Sequence, residues 1–358
     1  MSKVLYYIIV LFGVSFSIQT AEQTLPEEPP AKRARVEDPR GPELVAAVRE
    51  NRFGTMQELL NQGVSIFTRS ELGSSLLNIA IGNGNKEIFY YLMENGLECD
   101  VNFQNNEGTT PLLLAAQFGH FQIVRFLLKK GALVDLKHNS GSTALSYAVN
   151  FGHTSVVEEL LNHGASVDNS CQEAFTPLMI AAQESYNSIC RLLLNYGANV
   201  ARQDKRGITP LMIAAADGNH QMVQEFLRSD NNGINLQTQR GETALWLAAT
   251  AGHELIVQLL LKNNADLLLH RIESPLYTPV AGAAMHGHVP VIRAVEDACK
   301  DRGIPTIFAI PGAFEGFNHA FFNGHRFAAA YLANRYKESG GSVCPLAQNI
   351  ISKMRPRN

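Results

Sequence analysis

The feature that most constrains the fold is a phrase that recurs along much of the chain. Each copy opens at a small residue, and consecutive openings are 33 or 34 residues apart: Gly108, Gly141, Ala174, Gly207 and Gly241. The phrases that follow these residues are TTPLLLAA, STALSYAV, FTPLMIAA, ITPLMIAA and ETALWLAA. A period of this length indicates stacked supersecondary units, because one short unit cannot bury its own apolar side and needs neighbouring copies to cover it.

The copy from Thr110 to Ala132 predicts two short helices joined by a turn. Thr110 can cap the first helix with its hydroxyl, and Pro111 occupies the first helical position, where its missing N–H costs nothing. Gly131 provides the left-handed residue with which helices commonly end. The second helix carries an apolar face at helical spacing, formed by Ile123, Val124, Leu127 and Leu128.

The period near 33 residues, the T-P-L-x-x-A-A phrase and the Gly-His turn after it resemble the ankyrin-repeat family. The resemblance covers about residues 42–341. It implies an all-α repeat solenoid, an array of about eight to nine helix-turn-helix units with short hairpin loops. The first unit, residues 43–63, lacks the Thr-Pro pair and has polar outer positions, as a capping repeat requires. A divergent eighth unit, an apolar insert at about residues 303–316 without an assigned role, and a weak ninth unit follow.

The N-terminal residues 1–21 have the pattern of a secretory signal peptide. Lys3 precedes an almost wholly apolar run, and small residues follow it. The run is short for a membrane-spanning helix, which needs about 20 apolar residues. We therefore expect a secreted protein. An uncleaved membrane anchor and a buried segment are the alternatives.

Residues 22–41 are rich in proline and charge, which predicts a disordered linker. Within this linker Lys32, Arg33 and Arg35 resemble a short nuclear-import signal, and a solvated charge run is the alternative. Export and nuclear import conflict unless the protein passes from one cell into another. A bacterial effector delivered into a host cell, acting in the host nucleus, would satisfy both signals. A basic tail at residues 342–358 closes the chain.

The sequence contains no recognisable catalytic or metal motif. The five cysteines lie far apart, without a CxxC pair, and the histidines of the Gly-His turns are a whole repeat apart. We expect a chain that is not an enzyme, with no cofactor, no metal and no small-molecule substrate. The net charge of −3 gives no reason to expect nucleic acid as a partner. An enzyme within the divergent residues 275–358 is the alternative.

The ankyrin resemblance implies a monomeric scaffold that binds a partner protein through its concave face. The family's target-facing positions lie beside the hairpin glycine and after the Ala-Ala pair. In this sequence they are Asn106, Glu107, Gln117, Phe118, Asn139, Ser140, Asn150, Phe151, Gln172, Glu173, Phe175, Gln183, Glu184, Lys205, Arg206, Ile208, Asp217, Gln239, Arg240 and Glu242.

Three groups of residues leave a choice between binding and packing. The large apolar side chains of Phe118, Phe151, Phe175 and Ile208 either form an interface or pack against neighbouring hairpins. A basic strip, Lys205, Arg206 and Arg240, either binds a partner or is a solvated face. The C-terminal aromatic group either forms a peptide pocket or, as we expect, seals the end of the stack; its members are Phe314, Phe317, Phe321, Phe322, Phe327 and Tyr331.

Overall fold

The structure, a computed structural model, describes residues 38–97, 101–229, 233–270, 278–304, 307, 313, 316, 318, 320 and 323–339. The described residues from Pro39 onward belong to one compact unit. The predicted signal peptide, the basic cluster at Lys32, Arg33 and Arg35, and the basic tail all lie outside the described residues. So do four members of the aromatic group (Phe314, Phe317, Phe321 and Phe322) and the side chain of Gln172.

The described residues contain paired helices and no strand, apart from one isolated bridge between Arg69 and Ser75. Eight pairs follow one another: α1 Gly41–Arg49 with α2 Phe53–Asn61, α3 Leu76–Gly82 with α4 Lys86–Glu94, α5 Pro111–Gln117 with α6 Phe121–Lys129, α7 Ala144–Asn150 with α8 Thr154–Asn162, α9 Pro177–Gln183 with α10 Asn187–Asn195, α11 Pro210–Asp217 with α12 His220–Ser229, α13 Ala244–Ala251 with α14 Glu254–Lys262, and α15 Pro279–Met285 with α16 Val289–Asp301. We number these pairs as units 1 to 8. Helix α17, Arg326–Glu338, belongs to a ninth unit. The predicted all-α repeat solenoid is confirmed.

A side-chain cap fixes the start of the first helix in units 2 to 7. The hydroxyl of Thr110 accepts a hydrogen bond from the backbone N–H of Leu113 at 3.1 Å. Ser75, Thr143, Thr176, Thr209 and Thr243 make the equivalent bond, and all six capping residues are buried. A cap of this kind stabilises a helix by about 1 kcal/mol, so these residues set the register of their six units.

The second helices bury the apolar face that the sequence predicts. Ile123, Val124, Leu127 and Leu128 are all buried, and they belong to one apolar core that runs through the units. Ala115 and Ala116 of the first helix are fully buried as well. Because their side chains are small, the first helices of neighbouring units can pack closely against each other.

The turn histidines of units 3, 4, 7 and 8 connect each of these units to the one before it. His153 Nε2 donates to the carbonyl oxygen of Gln117 at 2.9 Å, one unit upstream. His120, His253 and His288 bond in the same way to the carbonyls of Ile81, Ala216 and Thr250. These histidines therefore have a structural role, because each one ties its turn to the backbone of the preceding unit.

The C-terminal helices are held by a charged network. Glu296 of α16 accepts a hydrogen bond from the Tyr331 hydroxyl and pairs with Arg335 of α17 at 3.1 Å. Phe327, in contrast, is 82% exposed, so our expectation that it seals the end of the stack is wrong for this residue. Its position near the start of α17 directs it to solvent, whereas Ala328 and Ala329 beside it are buried.

Candidate partner-binding surface

The hairpin tips that carry many of the predicted site residues are built from local side-chain hydrogen bonds. In unit 6, Asp204 Oδ1 accepts from the backbone N–H groups of Arg206 at 2.9 Å and Ile208 at 2.7 Å. Asn105 and Thr238 close the tips of units 3 and 7 in the same way. These turns hold the backbone at the tips in a fixed conformation, since they occupy amide donors that a loop would otherwise leave to water.

Adjacent tips are also joined to each other through the backbone. The N–H of Asn139 donates to the carbonyl of Glu107 at 3.0 Å, and the N–H of Gln239 donates to that of Arg206 at 2.8 Å. Lys205 donates likewise to Glu173 at 2.9 Å. The structure therefore brings the tips of units 3 and 4 together as neighbours, and likewise the tips of units 5, 6 and 7.

The tip of unit 5 adopts a left-handed backbone at residues other than glycine. Glu173 and Ala174 both have a left-handed backbone, with φ of 63° and 62°. Gly108, Gly141, Gly207 and Gly241 stand at the place of Ala174 in the neighbouring units, with φ between 79° and 81°. A residue with a Cβ in this region costs about 1–2 kcal/mol, so this tip carries local strain. In the sequence this strain is indicated by Ala174, which stands where the other four copies of the phrase have glycine.

The predicted basic strip is largely neutralised by neighbouring carboxylates. Lys205 Nζ lies 3.2 Å from Glu173, and Arg206 Nε lies 3.2 Å from Asp204. Asp204 is buried, whereas both cations are exposed. These ion pairs favour the interpretation of Lys205 and Arg206 as part of a solvated face, and not as a cationic strip that binds a partner.

The four large apolar candidates divide into two pairs. Phe118 and Phe151 are 46% and 47% exposed. Phe175 and Ile208 are half-buried against the core, because each directly precedes the buried capping threonine of its unit. The interface hypothesis thus keeps a structural basis at Phe118 and Phe151, and local packing accounts for Phe175 and Ile208.

Each exposed phenylalanine ring stacks on the turn histidine two residues later. The ring centroids of Phe118 and His120 are 6.0 Å apart at an interplanar angle of 28°, and those of Phe151 and His153 are 6.4 Å apart at 19°. Since both histidines are anchored to the preceding unit, the phenylalanine rings rest on a fixed support.

The same position in units 5 and 6 holds carboxylates. Phe118, Phe151, Glu184 and Asp217 each stand at the end of a first helix, immediately before a residue of left-handed backbone. Partial desolvation raises the pKa of Asp217 above its ordinary value, and repulsion from Glu184 adds to this effect, while His253 opposes it. We call these four residues the helix-end row.

The cysteines in the described part are poor nucleophiles. Burial raises the pKa of Cys190 to about 12 and that of Cys299 to about 11, and it also raises the pKa of Cys171. These thiols are therefore protonated at neutral pH, and a thiol is far less nucleophilic than a thiolate. Cys299 lines a small groove between α16 and α17, where Glu296, Lys300 and Arg335 already pair with one another.

Within the residues described, no three metal-ligating side chains come together, and no helix is both long and apolar enough to cross a bilayer. The turn histidines direct Nε2 to backbone carbonyls, so that nitrogen carries the proton of the neutral ring and is not available to a metal.

One exposed feature was missed by the sequence analysis. Leu255, Pro290 and Phe327 occupy the second position of the second helix in units 7, 8 and 9, and all three are exposed. The same position is polar in units 2 to 6, where Glu87, Gln122, Ser155, Ser188 and Gln221 stand. This row is visible when the second helices are aligned position by position, and the T-P-L phrase gives no sign of it.

Known proteins share the repeated part of the chain. A family model of ankyrin repeats matches three times, at residues 44–138, 132–204 and 199–271, which together exceed half of the chain. Diacylglycerol kinase zeta of Rattus norvegicus is 31% identical over 94 residues, 26% of this chain and 10% of that protein. An E3 ubiquitin-protein ligase of Arabidopsis thaliana is 37% identical over 90 residues, 25% of this chain and 17% of that protein. A putative ankyrin repeat protein of Acanthamoeba polyphaga mimivirus is 28% identical over 79 residues, 22% of this chain and 11% of that protein. The matches span less than a fifth of each relative's length.

Proposed function

The chain belongs to the ankyrin-repeat family, and we propose that it is a non-catalytic scaffold that binds a partner protein across its hairpin tips and first-helix ends. The observation that carries this proposal is the pair of half-exposed phenylalanines, Phe118 and Phe151, in adjacent units. Aromatic side chains of this kind are typical hot spots of protein interfaces. Their support on the anchored histidines lowers the entropy that binding must remove.

The test is a double substitution, Phe118→Ala with Phe151→Ala, compared with the control Leu133→Ala with Leu255→Ala. The control removes two apolar side chains that are exposed by 58% and 65% and lie outside the predicted site. The full chain serves as bait in affinity capture, and the affinity of the purified partner is then measured for each variant. We expect the phenylalanine variant to bind at least tenfold more weakly, since a hot-spot truncation costs about 2 kcal/mol. The melting temperature should change no more than in the control. Equal affinity of the two variants for the partner would reject the proposed site.

We further propose that residues 1–21 direct export and that the mature chain is a monomer. The apolar run after Lys3 and the small residues behind it support export. N-terminal sequencing of the secreted chain tests cleavage, and an intact N-terminus on a membrane-bound product would favour the anchor instead. Sedimentation equilibrium tests the monomer.

Action inside another cell's nucleus is also a proposal, supported by the basic cluster Lys32, Arg33 and Arg35. A fluorescent fusion of the chain, expressed within a eukaryotic cell with and without these three residues changed to glutamine, tests it. Nuclear accumulation that depends on the three cations is expected, and an unchanged distribution would contradict the import signal.

A further inference from the structure

The helix-end row changes its chemistry halfway along. Units 3 and 4 present Phe118 and Phe151, and units 5 and 6 present Glu184 and Asp217 at the same position. Phe118, Phe151 and Asp217 are exposed, and Glu184 is half-buried. The equivalent helix-end residues of the flanking units 2 and 7 are Asn83 and Ala251, so the two phenylalanines and two carboxylates form one uninterrupted run of four units. Units 1 and 8 carry Glu50 and His286 at this position, where Glu50 is paired with Arg52 and His286 is stacked on His288.

The aromatic half offers open ring faces to a ligand. One side of each phenylalanine rests on a histidine, and just under half of each residue's surface is exposed to water. An aromatic face attracts apolar side chains, and it attracts a lysine or arginine cation through the ring quadrupole.

The acidic half carries negative charge that the described residues do not neutralise. The one hydrogen bond to the Glu184 carboxylate comes from the side-chain amide of its neighbour Gln183. Burial is the main cause of the raised pKa of Asp217, His253 opposes it, and repulsion between the two carboxylates adds to it. The tip residues differ in this respect, because Glu173 and Asp204 are already paired with Lys205 and Arg206. A cation supplied from outside would relieve the repulsion between Glu184 and Asp217.

The spacing of the row fits a polypeptide. Packed helices lie about 8–10 Å apart, so four consecutive units place their helix-end residues along about 24–30 Å. Every third residue of a polyproline II segment advances about 9 Å, and every seventh residue of a helix about 10.5 Å. A single peptide segment can therefore contact all four positions in turn.

We propose that the helix-end row binds a basic peptide segment of the partner, with aromatic or apolar side chains on Phe118 and Phe151 and lysine or arginine side chains beside Glu184 and Asp217. This inference rests on the proposed function and specifies the class of partner. Its charge complementarity sets the orientation of the segment along the array, since only one direction brings the basic part to units 5 and 6.

The experiment begins with an unbiased probe, a phage-displayed library of random peptides of about 12 residues, which span about 37 Å when extended as polyproline II. The library is selected on the immobilised full chain. The most enriched peptide is then synthesised with a fluorescent label, together with a counterpart in which its lysines and arginines are replaced by glutamine. Fluorescence anisotropy measures their affinity.

Two double variants of matched charge separate the row from general electrostatics. Glu184→Gln with Asp217→Asn removes the two carboxylates of the row, and Glu158→Gln with Asp301→Asn removes two exposed carboxylates on the second helices of units 4 and 8. We expect the enriched peptides to be cationic and aromatic, and the glutamine counterpart not to bind. The row variant should bind about tenfold more weakly at low salt, and the control variant less than about threefold.

The possible results distinguish this inference from the proposed function. If the enriched peptides are neutral or acidic but still need Phe118 and Phe151, the partner is not basic, and the binding surface remains in place. The same conclusion follows if the two carboxylate variants bind the labelled peptide with equal affinity. This inference is overturned if the selection enriches nothing, or if peptide binding depends on neither the phenylalanines nor the carboxylates. The proposed function is decided separately, by the affinity capture with Phe118→Ala and Phe151→Ala.

Discussion

The contact between the turn glycine of one unit and the turn histidine of the next makes a quantitative prediction. Gly119 has φ of +69°, and a Cβ at this residue would lie 2.6 Å from Nδ1 and 2.7 Å from Cε1 of His153. Gly131 has φ of +87°, and a Cβ there would meet no atom within 4 Å. Comparing Gly119→Ala with Gly131→Ala therefore separates the cost of left-handed backbone from the cost of displacing the neighbouring unit's histidine.

The magnitudes follow from the contacts. Left-handed backbone costs an alanine about 1–2 kcal/mol, and both variants share this cost. Displacing His153 also weakens its hydrogen bond to Gln117, worth about 1 kcal/mol, and its stacking on Phe151, worth about 0.5–1 kcal/mol. We expect Gly131→Ala to lower the free energy of unfolding by about 1–2 kcal/mol and Gly119→Ala to lower it by about 2–4 kcal/mol.

Urea unfolding followed by circular dichroism measures both variants, with the slope of the transition checked for equality. A double-mutant cycle with His153→Ala completes the test, because without the ring the added cost of Gly119→Ala should fall to that of Gly131→Ala. Equal costs for the two glycine variants, or full additivity of Gly119→Ala and His153→Ala, would refute the proposed coupling between units.

Two further predictions concern strain and pH. Replacing Ala174 by glycine should raise the free energy of unfolding by about 1 kcal/mol, because glycine tolerates the φ of 62° that alanine adopts there. Thermal unfolding measures the change, and a lowered melting temperature of the variant would contradict backbone strain at this residue. Burial lowers the pKa values of His120 and His288, so the folded chain binds fewer protons at these sites than the unfolded chain does. The free energy of unfolding should therefore fall as the pH drops below about 6.5, the ordinary pKa of histidine. His120→Asn, which introduces the residue that unit 6 carries as Asn219, should reduce the fall in the urea midpoint between pH 7.5 and pH 5; an undiminished fall would exclude His120 as a source of it.

The sequence by itself determined the period of the array, the start of each first helix and the turn that follows it. Thr110 and Pro111 act through atoms within one turn of their own chain, and Gly131 acts through its own backbone angle. Such local constraints are the same in every copy, which is why the repeat phrase predicted the helical pairs correctly. The polar face of the first unit was predictable for a related reason, since a terminal repeat has a neighbour on one side only.

Only the tertiary structure decided which candidate side chains are available to a partner. Four large apolar residues were candidates for the interface, yet Phe118 and Phe151 are half-exposed, whereas Phe175 and Ile208 pack on the core. Lys205 is neutralised by Glu173, which lies 32 residues earlier in the chain. Exposure and ion pairing depend on what the neighbouring unit places alongside a residue, and contacts between residues so far apart in sequence have no local signal. The physical reason is that backbone geometry is set within a few residues, whereas the surroundings of a side chain in a stack are set one unit away.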